Sequence, residues 1–158
     1  MMRRRIAIVT FTLMVLTGLS GCSFLSKLVP WGGKTAAVKD MRVVAVPDAN
    51  ADSATALDLV FVYDKTAMAL IPKTSPDWFK KKASLRNGLG TSADVVSLQV
   101  TPASMVDAVK LPKRHGKAVA VYAFAGYLSP SGQGRIDLTG YKHPTIWLEA
   151  SAVHVSEP

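Results

Sequence analysis

KAVAVYAFAGY, residues 117–127, is the stretch that decides the fold class. At a period of two, Val119 and Val121 take one face, and Tyr122 and Phe124 take the other with Ala118 and Ala120. Both faces are apolar, and small residues are opposed to large ones. That pattern suits a strand buried between two layers. ALDLVFVY, residues 56–63, behaves the same way: Leu57, Leu59, Phe61 and Tyr63 share one face, and Val60 and Val62 share the other with Asp58. It reads as a central strand covered on both sides.

Working outward, further strands are expected at 41–47, 67–71, 94–100, 106–111, 135–138, 145–149 and 152–155. Short strands at intervals of roughly 8–12 residues, with turn signals between them, predict a β-sandwich. One segment interrupts the pattern. Ser75-Pro76-Asp77 opens a helix: serine is a capping residue, proline suits the first helical position, and aspartate complements the positive helix end. Trp78, Phe79, Lys82 and Ala83 would share its face, and Asn87-Gly88 would stop it. The expectation is an all-β, two-sheet sandwich with one short inserted helix, spanning residues 41–158.

The start of the chain has another character. Met1 to Arg5 is basic, and residues 6–16 are a short apolar run ending at Thr17-Gly18. This is the pattern of a secretory signal, and it falls short of the about 20 apolar residues that a membrane-spanning helix needs. The run leads into Leu19-Ser20-Gly21-Cys22, which resembles the bacterial lipobox. Cys22 is the sole cysteine of the 158 residues. The resemblance implies a diacylglyceryl group on its sulfur, cleavage that makes Cys22 the first mature residue, and an acyl chain such as palmitate on its amine. A thiolate is the side-chain nucleophile best suited to that attachment. Each buried CH2 contributes about 0.8 kcal/mol, so several chains anchor stably where one would not. The residue after the cysteine is Ser23 and not Asp, as in lipoproteins sorted to the outer membrane. The expected organisation is a signal peptide at 1–21, a lipid-anchored tether at 22–40 and the sandwich behind it. The protein would face the periplasm from the inner leaflet of the outer membrane. Trp31 in the tether suits either the membrane interface or the domain surface.

Without residues 1–21 the chain has 137 residues, enough for one domain with its own core. Loss of Arg3, Arg4 and Arg5 lowers the formal charge from +8 to +5. That is mildly basic and not a nucleic-acid signature. No internal disulfide is open to a chain with one cysteine.

No catalytic constellation is evident. His115, His143 and His154 are dispersed and lack metal-ligand spacing, and no serine sits in G-x-S-x-G. Asp48, Asn50 and Asp52 match the first three oxygen positions of a calcium loop, but no glycine follows, and Leu59 stands where the twelfth-position glutamate belongs. A solvated loop is the better reading. The expectation is a binding protein without enzymatic activity, cofactor, metal or small-molecule substrate. Lys80, Lys81 and Lys82, with Lys113 and Arg114, suit lipid head groups, an acidic partner or plain solvation, and solvation is favoured.

Several stretches together resemble one family, the TssJ/VasD-type outer-membrane lipoproteins of type VI secretion systems. PDANADS at 47–53 resembles the family's polar loop after the first strand. VFVYDKTAMAL at 60–70 resembles its valine-rich strand with a tyrosine and polar link. SPDWFKKKASL at 75–85 resembles its inserted helix, and 116–127 its late apolar strand. The chain departs from the pattern at Val46, where the family has asparagine, and at Thr101-Pro102-Ala103-Ser104, where it has a proline-glycine-glutamate turn. The resemblance implies a transthyretin-like sandwich that anchors a trans-envelope complex by binding the periplasmic domain of the inner-membrane protein TssM. It also implies that the loop between the first two strands makes that contact: Pro47, Asp48, Ala49, Asn50, Ala51, Asp52, Ser53, Ala54 and Thr55. A polar, flexible loop on a rigid scaffold is a usual binding site.

Two rival readings remain. One is another periplasm-facing lipoprotein that binds an envelope assembly or peptidoglycan, although no acidic and arginine motif for diaminopimelate is present. The other is a hydrolase on a transthyretin-like scaffold. That needs clustered histidine and arginine and a serine-ending tail, whereas this chain ends Ser156-Glu157-Pro158.

Overall fold

The computed structural model describes residues 34–158. The signal segment 1–21, Cys22, Trp31 and the tether up to residue 33 lie outside them.

Among the described residues eight strands form two four-stranded sheets. They are β1 (Arg42–Ala45), β2 (Thr55–Val62), β3 (Ala93–Val100), β4 (Met105–Val106), β5 (Ala120–Ala125), β6 (Ile136–Asp137), β7 (Thr145–Leu148) and β8 (Val153–Ser156). Sheet A has the order β4-β1-β7-β8, and sheet B the order β3-β2-β5-β6. All pairs are antiparallel except β1 with β7. The expected β-sandwich is present.

β2 lies between β3 and β5, and seven of its eight residues are buried. Its alternation serves two cores. Leu57, Leu59 and Phe61 join Val121, Ala123, Ile146 and Leu148 between the sheets. Val60 and Val62 join Tyr122 and Phe124 on the opposite face. That second face is covered by the helix α2 (Ser75–Leu89) and by the short helix α1 (Lys65–Met68). Strands buried on both sides carry apolar residues on both, which is why 56–63 and 117–127 read as nearly continuous apolar runs.

α2 has 15 residues and is longer than the expected insert. Thr74, and not Ser75, is its cap: Thr74 Oγ1 accepts from Asp77 N at 3.3 Å and donates to Asp77 Oδ2 at 2.9 Å. Ser75 is turned inward, where its Oγ accepts from Ala125 N at 3.1 Å. The helix continues past Asn87-Gly88 to Gly90, which has a φ of +49°. Gly90 follows the last helical residue, donates its N–H to Arg86 O, and has a positive φ that favours glycine. Ala83 is exposed, and Leu85 packs on the core in its place.

Other sequence expectations need correction. Residues 67–71 are not a strand. Asp64 caps the turn by accepting from Thr66 N at 2.9 Å, and Ala67 and Met68 are helix formers. The strand expected at 106–111 ends at Val106; beyond it, Val109 N makes a lone contact with Met41 O at 3.0 Å. The compact unit begins at Lys34, so residues 34–40 are not free tether. Ala36 and Val38 are buried, and Ala36, Ala37 and Lys39 donate to the carbonyls of Ala118, Thr139 and Lys142.

Candidate interaction surface

Four segments meet at one end of the sandwich: the β1–β2 connection, the turn at 101–104, the β5–β6 connection and the turn at 149–152. Backbone hydrogen bonds join three of them, and side-chain hydrogen bonds tie in the β5–β6 connection. Ala103 N donates to Val46 O, Asn50 N to Glu149 O and Ala51 N to Ala150 O, all within 3.1 Å. Lys34 to Lys39 enters at the opposite end, beside Ala118, Thr139 and Lys142.

The β1–β2 connection is a built turn and not the flexible loop expected. Asn50, Ala51 and Asp52 have φ values of 50°, 52° and 59°. Three successive non-glycine residues thus sit in the left-handed region, at a cost of roughly 1–2 kcal/mol for each ordinary residue and less for Asn or Asp. Asn50 is buried and holds the turn down. Its Oδ1 accepts from Leu128 N at 2.8 Å, and its Nδ2 donates to Gly126 O at 3.3 Å. Its side-chain amide therefore faces the protein body, which leaves Asp48 and Asp52 without the middle ligand of a calcium loop. Among the described residues no group of three His, Cys, Asp or Glu side chains is placed to hold a metal ion.

The nine expected partner residues divide. Pro47, Asp48, Ala51, Asp52 and Ala54 are exposed, and Ser53 is half-buried. Ala49, Asn50 and Thr55 are buried, and Thr55 belongs to β2. Thr55 Oγ1 has no hydrogen-bond partner among the described residues.

A neighbour of this turn was missed in the sequence. Leu128 is 67% exposed, although Asn50 fixes its backbone. Around it, Tyr127 donates from its hydroxyl to Glu149 O at 2.7 Å, and Ser131 Oγ donates to Ser151 O at 2.7 Å. Burial, then the charge of Glu149, pushes the Tyr127 hydroxyl up to about 12. A Cβ on Gly132 would run into the Tyr127 ring, so glycine is required there. The polar residues 129–134 were legible as a loop, but Leu128 carries no local signal of exposure.

The charged residues do not form one basic patch. Lys82 Nζ lies 2.8 Å from Asp58 Oδ2 and donates to Ser97 Oγ at 3.0 Å, whereas Lys80 and Lys81 are exposed. Arg114 lies 4.2 Å over the Tyr63 ring and pairs with Asp94 at 3.3 Å. Tyr63 donates to Asp94 at 2.7 Å, and burial first, then this bond, raises its pKa. The histidines are scattered. His115 Nδ1 is 2.9 Å from Pro112 O, His143 Nδ1 is 2.7 Å from Asp40 Oδ2, and His154 is exposed on β8.

No protein-family model matches the chain, and no curated protein does. Solved structures do match. Lip of Serratia marcescens, described as a membrane bound component of the type VI secretion system, is 13% identical with a TM-score of 0.53. The match covers 75% of this chain and 95% of Lip. A chain in a structure described as the TssM C-terminal domain (869–1107) from EAEC matches at 12% identity and a TM-score of 0.51, over 75% of this chain and 97% of that chain, a match about half as long as the segment the description names. The type VI lipoprotein TssJ1 from Pseudomonas aeruginosa matches at 18% identity and a TM-score of 0.48, over 78% and 96%. The described domain has the β-sandwich fold of Lip.

Proposed function

We propose that this protein is an outer-membrane lipoprotein of a type VI secretion system. Lipidated at Cys22 and facing the periplasm, it anchors a trans-envelope complex by binding the periplasmic domain of an inner-membrane TssM-type protein. Binding uses the end of the sandwich that carries residues 47–55.

The observation that carries this reading is the β1–β2 turn itself. Three consecutive left-handed residues are held above the sandwich by one buried asparagine. Backbone strain of this kind persists where the surroundings over-determine it, and it concentrates at functional sites. The fold shared with Lip supports the same assignment. So does polarity: the described domain is entered at Lys34, at the end opposite this turn.

Co-purification of the chain with the periplasmic part of the cognate TssM-type protein tests the proposal. Replacing residues 48–53 with a Gly-Ser link should abolish the complex and leave the circular dichroism of the domain intact. An undiminished complex moves the site elsewhere. Cys22→Ser should release the protein from membranes, and firm retention would refute the anchor.

A further inference from the structure

β3 is the longest edge strand of the described residues. It borders sheet B and pairs with β2 over all eight of its positions. On its outer side no backbone hydrogen bond to a described residue is formed. The other edge strands have two residues (β4, β6) or four (β8). An open edge is a template for another chain, and proteins usually blunt it with lysine, proline or a bulge. ADVVSLQV contains no lysine and no proline, and its register with β2 is unbroken from Val62↔Ala93 to Thr55↔Val100.

Beside the first half of β3 a groove of about 570 Å³ opens between the last turn of α2 and residues 110–113. Leu89, Val96 and Leu111 give it an apolar lining, and Arg86, Lys110 and Lys113 line it with positive charge. Those three cations are exposed, and none has a carboxylate within ion-pair distance among the described residues. The acid in the groove, Asp94, is already engaged by Arg114 and Tyr63.

We propose that the outer edge of β3 receives an acidic, extended segment of another protein, which adds to sheet B as a fifth strand. The free backbone edge supplies the hydrogen bonds, and the groove takes alternate side chains. The unpaired cations select acidic ones. They also oppose pairing with a second copy of this chain, whose β3 carries the same cations. The groove adjoins Ala93, which pairs with Val62 at the end of β2 away from residues 47–54. The groove half of the edge is therefore separate from the proposed TssM-facing end, whereas Val100 at the other end of β3 pairs with Thr55, which belongs to it.

The test uses the full chain in detergent and a fluorescein-labelled octapeptide of alternating Glu and Val, with alternating Lys and Val as control. Fluorescence anisotropy reads binding, and amide hydrogen exchange over residues 93–100 locates it. The Glu peptide should bind and slow exchange on β3, and the Lys peptide should not bind. The Lys110→Glu, Lys113→Glu double variant, checked for folding by circular dichroism, should weaken binding by about ten-fold or more. No binding of the Glu peptide, or binding without protection of β3, overturns the proposal. So does concentration-dependent protection of β3 in the chain alone, which means self-pairing.

Discussion

Asn50 and Leu128 stand 78 positions apart, and one hydrogen bond of 2.8 Å joins the amide oxygen of the first to the backbone N–H of the second. Through it the two connections that crown one end of the sandwich become one surface. Asn50→Ala leaves Leu128 N and Gly126 O without their partner and puts a less tolerant residue at a φ of 50°. The expected loss is about 1–3 kcal/mol in urea unfolding. Asn50→Gly keeps the left-handed backbone at ease and loses only the hydrogen bonds. Both should weaken TssM-type binding. Loss of stability with unchanged binding would make Asn50 purely structural.

Asp58 is buried in the centre of β2 and binds two residues of α2. Trp78 Nε1 donates to it at 2.7 Å, and Lys82 Nζ lies 2.8 Å away. Trp78 also stacks on Phe124, with 4.9 Å between centroids and 7° between planes. Lys82→Met leaves the carboxylate buried without its cation. The cost should fall below the ~3–5 kcal/mol of a fully buried pair, because Lys82 is partly exposed. Adding Asp58→Asn should recover part of that loss. A double variant as unstable as the sum of the singles would show that the two residues do not interact.

Thr55→Val should stabilise the domain. The hydroxyl is buried without a partner among the described residues, so its removal relieves a desolvation cost of about 1 kcal/mol. An unchanged or lowered midpoint in denaturant would mean that the hydroxyl is satisfied in solution.

Stability should decline in strong alkali. The Tyr127 hydroxyl ionises at about 12 in the fold against an ordinary value of 10.0. Folding therefore favours the protonated form. That contribution is complete below pH 10 and disappears as pH rises towards about 12. Tyr127→Phe, which cannot ionise, should show a shallower loss across this window when unfolding is followed against pH. Equal slopes would refute the assignment.

How much of this was legible beforehand depends on the range of the interaction. The apolar alternation of 56–63 and 117–127 determined two central strands, because burial of a strand's faces is written in its own residues. Ser75-Pro76-Asp77 announced the helix, and 129–134 the loop, because caps and turns are local chemistry. Residues 67–71 were misread for the same reason in reverse: five apolar residues carry no period of their own, and the carboxylate of Asp64 decided the helix. Ala36 and Val38 went unnoticed as core because their burial depends on Ala118, Thr139 and Lys142, far along the chain. The sequence alone determined a β-sandwich with an inserted helix, and its resemblance to a family named the 47–55 connection. The tertiary structure alone decided that this connection is a left-handed turn pinned to Leu128, that Asp58 ties α2 to β2, and that β3 is an open edge. Each of those facts joins residues distant in sequence, and distance along the chain erases periodicity, capping and turn signals alike.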